Sequence, residues 1–477
     1  MTPSGVTTDG FFGGASRKGA APGLWLLVAS AAITWIFAKS IANSAGLAFA
    51  FGITGAIGYA LYYLSFATAG VAIYLIRTRG GDASLPAFLV RKYGGTCARL
   101  FLVAIAIRLF NEVWSNTKVA GLYFGAEGSA EYWMAVFVVT AFTVAYSWRA
   151  GLRGSMLTDG AQMILAAILL GGVLPFIAPG MAASGLPQVP DATQAAGLTF
   201  CGLALVQALS YPFHDPVLTD RAFVTDPKTM LKRFLLAGLI AGGFVFLFGF
   251  VGLYALDQGL SGNPVLSVPA AFGLPLMLVV NAVMLTSAGS TLDSTFASTA
   301  KLSARDWGGG EGEPVEASMR FGRWVMVFIA VFGSLPLLGI YMGDQVGPAI
   351  IAATTISGTM VMGLAPIFLL SFLPGAGKLS FHLAFWPGLM LGVLVTLEGV
   401  FGAEIFPAWV DIGAGKYRRP RRQRLRPRPE HGGLPRGLPA GAQNQPIISP
   451  HLDSLMYADV VPDIARDPFS GPLLRLN

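Results

Sequence analysis

Charged side chains are scarce in this chain. Asp, Glu, Lys and Arg make up 12% of its 477 residues, whereas 54% are hydrophobic. An average soluble domain carries about 25% charge. So little charge, with a mean hydropathy of +0.62, excludes an ordinary water-soluble globule and points to an all-α polytopic membrane protein. Cysteine is nearly absent too. Cys97 and Cys201 are too few for a disulfide framework and read as structural thiols. Four histidines, none of them clustered, speak against a metal site. No nucleophile–base pair, phosphate loop or zinc spacing is present. The Gly-rich stretch 308–314, GGGEGEP, lacks the Lys-Ser/Thr of a P-loop. These absences argue against a membrane enzyme and against ATP-driven transport by the chain alone, and no cofactor is expected. The formal net charge of +7 is better assigned to cytoplasmic loops and a basic tail than to nucleic-acid binding.

What is present is a series of long apolar runs. Residues 1–22 are Gly-rich and polar, without a signal-peptide pattern, and form an N-terminal segment. About eleven spans follow, at roughly 23–43, 50–76, 98–125, 131–149, 155–178, 196–213, 233–256, 270–303, 320–342, 346–374 and 380–402, each long enough for a hydrocarbon core of ~30 Å. Arg and Lys recur in alternate loops, as in Arg77, Arg79, Arg91, Lys92, Arg149, Arg153, Arg221, Lys228, Lys232 and Lys378. The intervening loops (126–130, 179–195, 257–269, 343–345) hold no Lys or Arg. The positive-inside rule then puts the N-terminus in the cytoplasm of a multi-pass plasma-membrane protein, such as one of a bacterial inner membrane. The lipid bilayer is the expected surrounding, and no obligate protein partner is evident.

The rule breaks after the span 380–402. Residues 411–477 hold eleven Lys/Arg against six Asp/Glu and ten of the thirty prolines, yet they would face outward. Three readings stand for the segment 403–477. It is a disordered basic tail, or a cytoplasmic anchor if one span is miscounted, or the product of a reading-frame shift near residue 417 that replaced a last helix. The abrupt change of composition favours the third.

Polar residues inside the apolar runs are the candidate chemistry. Ser287, Ser290, Thr291, Ser294, Thr295, Ser298 and Thr299 recur at helical spacing and continue a membrane-grade run. Such a stripe must meet protein partners or a water-filled cavity, and a cation is the proposed occupant. Asp293, at its edge, is unexplained; Lys301, Arg305 and Asp306 read as the cytoplasmic end of the helix. The first span carries TWIFAKS, with Trp35 and Lys39. A buried ammonium needs a partner, so Lys39 either meets an anionic substrate, pairs with Asp215 or Glu112, occupies a cation site, or snorkels to the outer surface. Arg108 and Glu112 are spaced i, i+4 and suit an intrahelical pair. With Asn111, Trp114 and Asn116 they otherwise form a polar cavity wall. The sixth span ends in SYPFHDPVLTDRAF, containing Tyr211, Phe213, His214 and Asp215. Pro212 and Pro216 cannot donate backbone hydrogen bonds, so the helix either breaks there to line a cavity or ends. Asp159, in LTDGAQ, caps a helix start or holds a cation; spacing alone favours the cap.

Four stretches in order resemble the sodium:solute symporter family over about residues 10–403: FFGGASRKGAAPGLWLLVASAAITW, RGSMLTDGAQ, YPFHDPVLTDRAF and GSTLDSTFASTAKLSARD. The resemblance implies a leucine-transporter-like core of two inverted five-helix repeats, residues 23–178 and 196–374, with 380–402 as a peripheral eleventh span. It implies an unwound first helix and a Na⁺ site built from the carbonyls of Ile33 and Ile36 and the hydroxyls of Ser290 and Thr291, with Asp159 nearby. It implies a Na⁺-coupled carrier of a small organic solute, contacted by Trp35, Lys39, Asn111, Glu112, Tyr211, Phe213, His214 and Asp215. Three departures accompany it: no extra N-terminal helix, a basic tail in place of the usual C-terminal helices, and Lys39 where some relatives place a polar or acidic substrate contact. Lys39 points to a carboxylate-bearing solute, such as an amino or organic acid. The alternatives are a solute sensor built on the same core, or a proton-coupled or uncoupled carrier in which Lys39 replaces the cation.

Overall fold

The structure is a computed structural model and describes residues 6–308, 316–342 and 363–401. Among these there are helices and turns but no strands. A short α1 (Thr8–Gly13) precedes α2 (Leu24–Ile33) and α3 (Ala38–Phe51), which bend by 58° across residues 34–37. Then follow α4 (Ile53–Tyr62), α5 (Ser65–Gly80), α6 (Leu85–Tyr93) and α7 (Gly95–Leu122). The long α8 (Ala130–Ser184) turns at Gly151. The second half of the chain comprises α9 (Asp191–Ala208), α10 (Pro216–Arg221), α11 (Pro227–Asp257), α12 (Pro264–Phe272), α13 (Leu274–Ala304) and α14 (Glu316–Gly333), with further helices at Leu364–Leu369 and Lys378–Phe401.

Local sequence explains several of these starts. Asp215-Pro216, Asp226-Pro227 and Asn263-Pro264 each place an Asp or Asn at the N-cap and a Pro at the first helical position. The side chain accepts from a free amide of the first turn, and Pro lacks the N–H that would be orphaned there. The turn inside α8 depends on Gly151, whose φ of 52° lies in the left-handed region. A Cβ there would sit 2.6 Å from Phe11.

Small residues set the closest helix contacts. A Cβ on Gly252 of α11 would fall 1.8 Å from the Ala45 carbonyl of α3, and one on Gly249 would fall 2.6 Å from Ala56 of α4. Close approach at small residues is how helices associate where lipid removes the hydrophobic drive. Large apolar side chains remain on the outside, including Phe137, Phe142, Leu239 and Leu383, each about two-thirds exposed or more. An apolar exterior of this extent suits a bilayer.

Five helices of the described residues are long and apolar enough to cross a membrane, six if the bent pair α2–α3 counts as one span. The span expected at 131–149 and the one at 155–178 are both contained in the bent α8. Most of the span expected at 346–374, the stretch 309–314 of the Gly-rich loop and the tail 403–477 lie outside the described residues.

Candidate functional site

Two helix breaks meet at one place. At the first, α2 closes in tight turns, the Ile36 amide donating to the carbonyls of Ala32 (3.2 Å) and Ile33 (3.1 Å). Phe37 is then extended, with φ −86° and ψ 171°. At the second, α9 ends at Ala208, residues 211–214 form a 3₁₀ turn, and Asp215 leads into α10. The prolines therefore interrupt the element rather than end it, since the buried α10 continues beyond them. The Trp35 indole N–H of the first break donates to Asp215 Oδ2 of the second at 2.8 Å. Asp215 Oδ1 accepts the Val217 amide at 3.0 Å. The Trp35 and Tyr211 rings stand 5.4 Å apart at 90°. The Tyr63 hydroxyl donates to the Trp35 carbonyl at 2.5 Å, which satisfies a backbone group the break has released.

Beside this junction lies a small cavity of about 20 Å³, room for roughly one water molecule. Lys39, Ser40 and Asn43 line it from α3, Tyr59 and Tyr62 from α4, and Arg108 and Glu112 from α7, with Trp35, Tyr211 and Asp215 at the breaks. Trp35 stacks on Tyr62 at 5.3 Å, and Tyr62 meets Tyr211 edge-on at 4.8 Å. Arg108 pairs with Glu112 and donates to the Tyr211 hydroxyl at 2.9 Å. Glu112 also accepts from Asn116 Nδ2 at 2.9 Å. Glu112 is held by Arg108 and Asn116, and Asp215 by Trp35 and the α10 amides. Lys39 itself is 9% exposed. It forms part of the cavity wall and does not snorkel.

A second polar cluster joins α2, α8, α10 and α13. Asp159 is fully buried within α8, well past the Gly151 turn. This corrects the capping expectation, because the carboxylate is used for tertiary contacts. Its Oδ1 accepts from Ser290 at 2.8 Å. Its Oδ2 accepts from Ser30 at 2.6 Å and from Arg221 Nη2 at 2.7 Å. Arg221 Nε also donates to Ser30 Oγ at 2.7 Å. Thr291 donates back to the Ser287 carbonyl at 3.1 Å. Asp293 accepts from Tyr146 (2.7 Å) and Thr158 (2.6 Å), so hydroxyls from both halves of α8 hold it. Ser155 and Ser294 bridge α8 and α13 at 2.7 Å.

Several expected site residues lie elsewhere. Phe213 is buried and stacks on Phe368 at 4.4 Å. His214 is buried with Nδ1 2.8 Å from the Tyr211 carbonyl. Asn111 sits behind Arg108, 3.5 Å from its guanidinium. None of these three lines the cavity. Trp114 packs with Tyr132, Val136 and Leu337 instead of forming a cavity wall. Arg221, counted above as a loop charge, is fully buried, and Lys301 pairs with Asp220 rather than only marking a helix end. Asn43, Tyr59 and Tyr62 line the cavity without belonging to any motif in the sequence. Asn43 was findable, because it lies one helical turn beyond Lys39 on the same face.

No family model matches the chain, and no curated protein matches it. Among solved structures it is similar to a Na⁺-coupled sialic acid symporter in a substrate-bound, outward-open state, at 15% identity and a TM-score of 0.50, covering 82% of this chain and 92% of that one. It is also similar to a nucleobase-cation-symport-1 family transporter in a closed conformation with bromovinylhydantoin bound, at 14% identity and a TM-score of 0.46, covering 85% and 98%. The first likeness establishes the fold, which is of the leucine-transporter kind.

Proposed function

We propose that the chain is a secondary active transporter that carries a small, carboxylate-bearing organic solute with Na⁺ by alternating access across a plasma membrane. The observation that carries this reading is the meeting of two broken helices, through Trp35 and Asp215, beside a cavity walled by Lys39 and Arg108. Broken helices are tolerated at membrane depth where they line a solute path. Eleven spans with two inverted five-helix repeats and a cytoplasmic N-terminus complete the reading. The fold shared with a structure described as a Na⁺-coupled symporter supports it.

In this account Lys39 meets the solute carboxylate while Trp35, Tyr62 and Tyr211 cover its body. Na⁺ is carried as a co-substrate near Ser290, Thr291 and the carbonyls of Ile33 and Ile36. The hydroxyl geometry suits a hard cation. Ser290 donates its hydrogen bond to Asp159 and Thr291 donates to a backbone carbonyl, so lone pairs of both remain available to an ion. Asp159 adds negative charge behind Ser290. Stronger binding of Na⁺ in the outward-facing state couples the ion gradient to the solute.

One observation favours a second reading, a carrier uncoupled from sodium: the Arg221 guanidinium already neutralises Asp159. Sodium-independent uptake by the wild type would favour this second reading; replacing Ser290 and Thr291 together by Ala tests the first. The sodium reading expects the sodium concentration for half-maximal uptake to rise at least roughly tenfold, about 1.4 kcal/mol of lost ion binding. Unchanged sodium dependence in the double variant would exclude those hydroxyls as ligands.

A further inference from the structure

Asn43 is a polar side chain whose hydrogen-bonding capacity the protein leaves largely unused. It is 1% exposed on α3 and lines the cavity. Its carboxamide nitrogen and oxygen both lack a hydrogen bond of good geometry, although the Tyr59 hydroxyl is within reach. Burying an unsatisfied amide is unfavourable, and most buried polar side chains are hydrogen-bonded. An amide at the cavity wall that has the Tyr59 hydroxyl in reach but no hydrogen bond of good geometry keeps capacity that a ligand can use.

The chemistry of that ligand follows from the group. A carboxamide presents one donor and one acceptor side by side. It pairs best with the reverse pattern, an N–H next to a C=O. A lone hydroxyl uses only half of it. Asn43 lies four residues beyond Lys39, so the amide and the ammonium share one face of α3, with Cβ atoms roughly 5–6 Å apart. A solute whose carboxylate reaches Lys39 therefore brings its next few atoms to Asn43. Tyr59 and Tyr62, with ring centroids 6.3 Å apart and planes 16° from parallel, supply flat walls that suit a planar amide.

We propose that Asn43 reads an amide-type edge on the transported carboxylate, so that the solute class is a small carboxylate bearing an N-acyl, carbamoyl or lactam group. The proposal rests on the carrier reading above, and in particular on Lys39 as the carboxylate anchor.

Two probes of nearly equal shape test it. N-acetylglycine has the amide, and levulinate has a methylene in place of its N–H. Binding to the purified full-length protein is followed by the rise in unfolding temperature with probe concentration. The expected result is that the wild type binds N-acetylglycine roughly tenfold more tightly than levulinate, in line with one or two net hydrogen bonds. Asn43→Leu should abolish that preference. It should also leave the unliganded unfolding temperature unchanged or higher, because it removes an unsatisfied group. Lys39→Met should weaken both probes equally. The proposal is overturned if Asn43→Leu keeps the preference, if it lowers the unliganded stability, or if neither probe binds the wild type. Equal binding of the two probes with full dependence on Lys39 overturns the Asn43 assignment and leaves the carboxylate reading standing. Indifference of both probes to Lys39→Met removes the carboxylate reading instead.

Discussion

Arg221 is the side chain on which the polar core depends most. Its guanidinium faces Asp159, Ser30 and Ser294 and is fully buried. Removing one member of a buried pair strands the other charge at a cost of about 3–5 kcal/mol. Arg221→Met is therefore expected to lower unfolding stability in detergent by that order. Adding Asp159→Asn should recover most of the loss, because no unpaired charge remains. Additive losses in the double variant would show that the two residues act separately. The sequence showed half of this cluster. Ser290, Thr291 and Asp159 stand out because hydroxyls and carboxylates are conspicuous in apolar runs. Arg221 did not, because counting loop charges treats every basic residue after a span as solvated. Its carboxylate partner lies 62 residues away in the chain, and local pattern carries no trace of such a pairing. Lys39 was legible as a buried charge, but its surroundings were not: Arg108 takes Glu112, and Trp35 takes Asp215.

Helices and their interruptions form the next scale. The second break was readable, because Pro212 and Pro216 forbid a continuous ladder. The first was not readable from the residues themselves, since 34–37 contains neither Gly nor Pro. It is held open by tertiary contacts, the Tyr63 hydroxyl on the Trp35 carbonyl and Asp215 on the Trp35 indole. Only the family resemblance anticipated it. The α8 turn depends on a single residue. Gly151→Ala would force a Cβ into a left-handed conformation and against Phe11. A destabilisation of about 1–3 kcal/mol is expected, readable as a lower unfolding midpoint. An unchanged midpoint would mean that α8 reaches its bend by another route. Gly154, three residues on, is helical and not at positive φ, so its replacement tests crowding alone.

The described residues combine an apolar exterior, close helix contacts at small residues and two buried polar groupings, the Asp159 cluster and the Lys39 cavity. Composition alone made the membrane class legible, because 54% hydrophobic residues with 12% charge leave few other solvents for the surface. The exact span count was less legible, since α7 carries Arg108, Glu112 and Lys118 buried inside the protein and so dilutes its own hydropathy. The account's central claim is gradient-driven carriage of a carboxylate. It is tested most directly by reconstituting the full chain in liposomes and screening amino acids, other carboxylates, sugars and urea for uptake, with and without an inward sodium gradient, in wild type and Lys39→Met. The account predicts that a carboxylate accumulates above its external concentration only with the gradient, and that Lys39→Met abolishes this accumulation. Accumulation of no solute, or of a neutral solute equally well in both proteins, would contradict it.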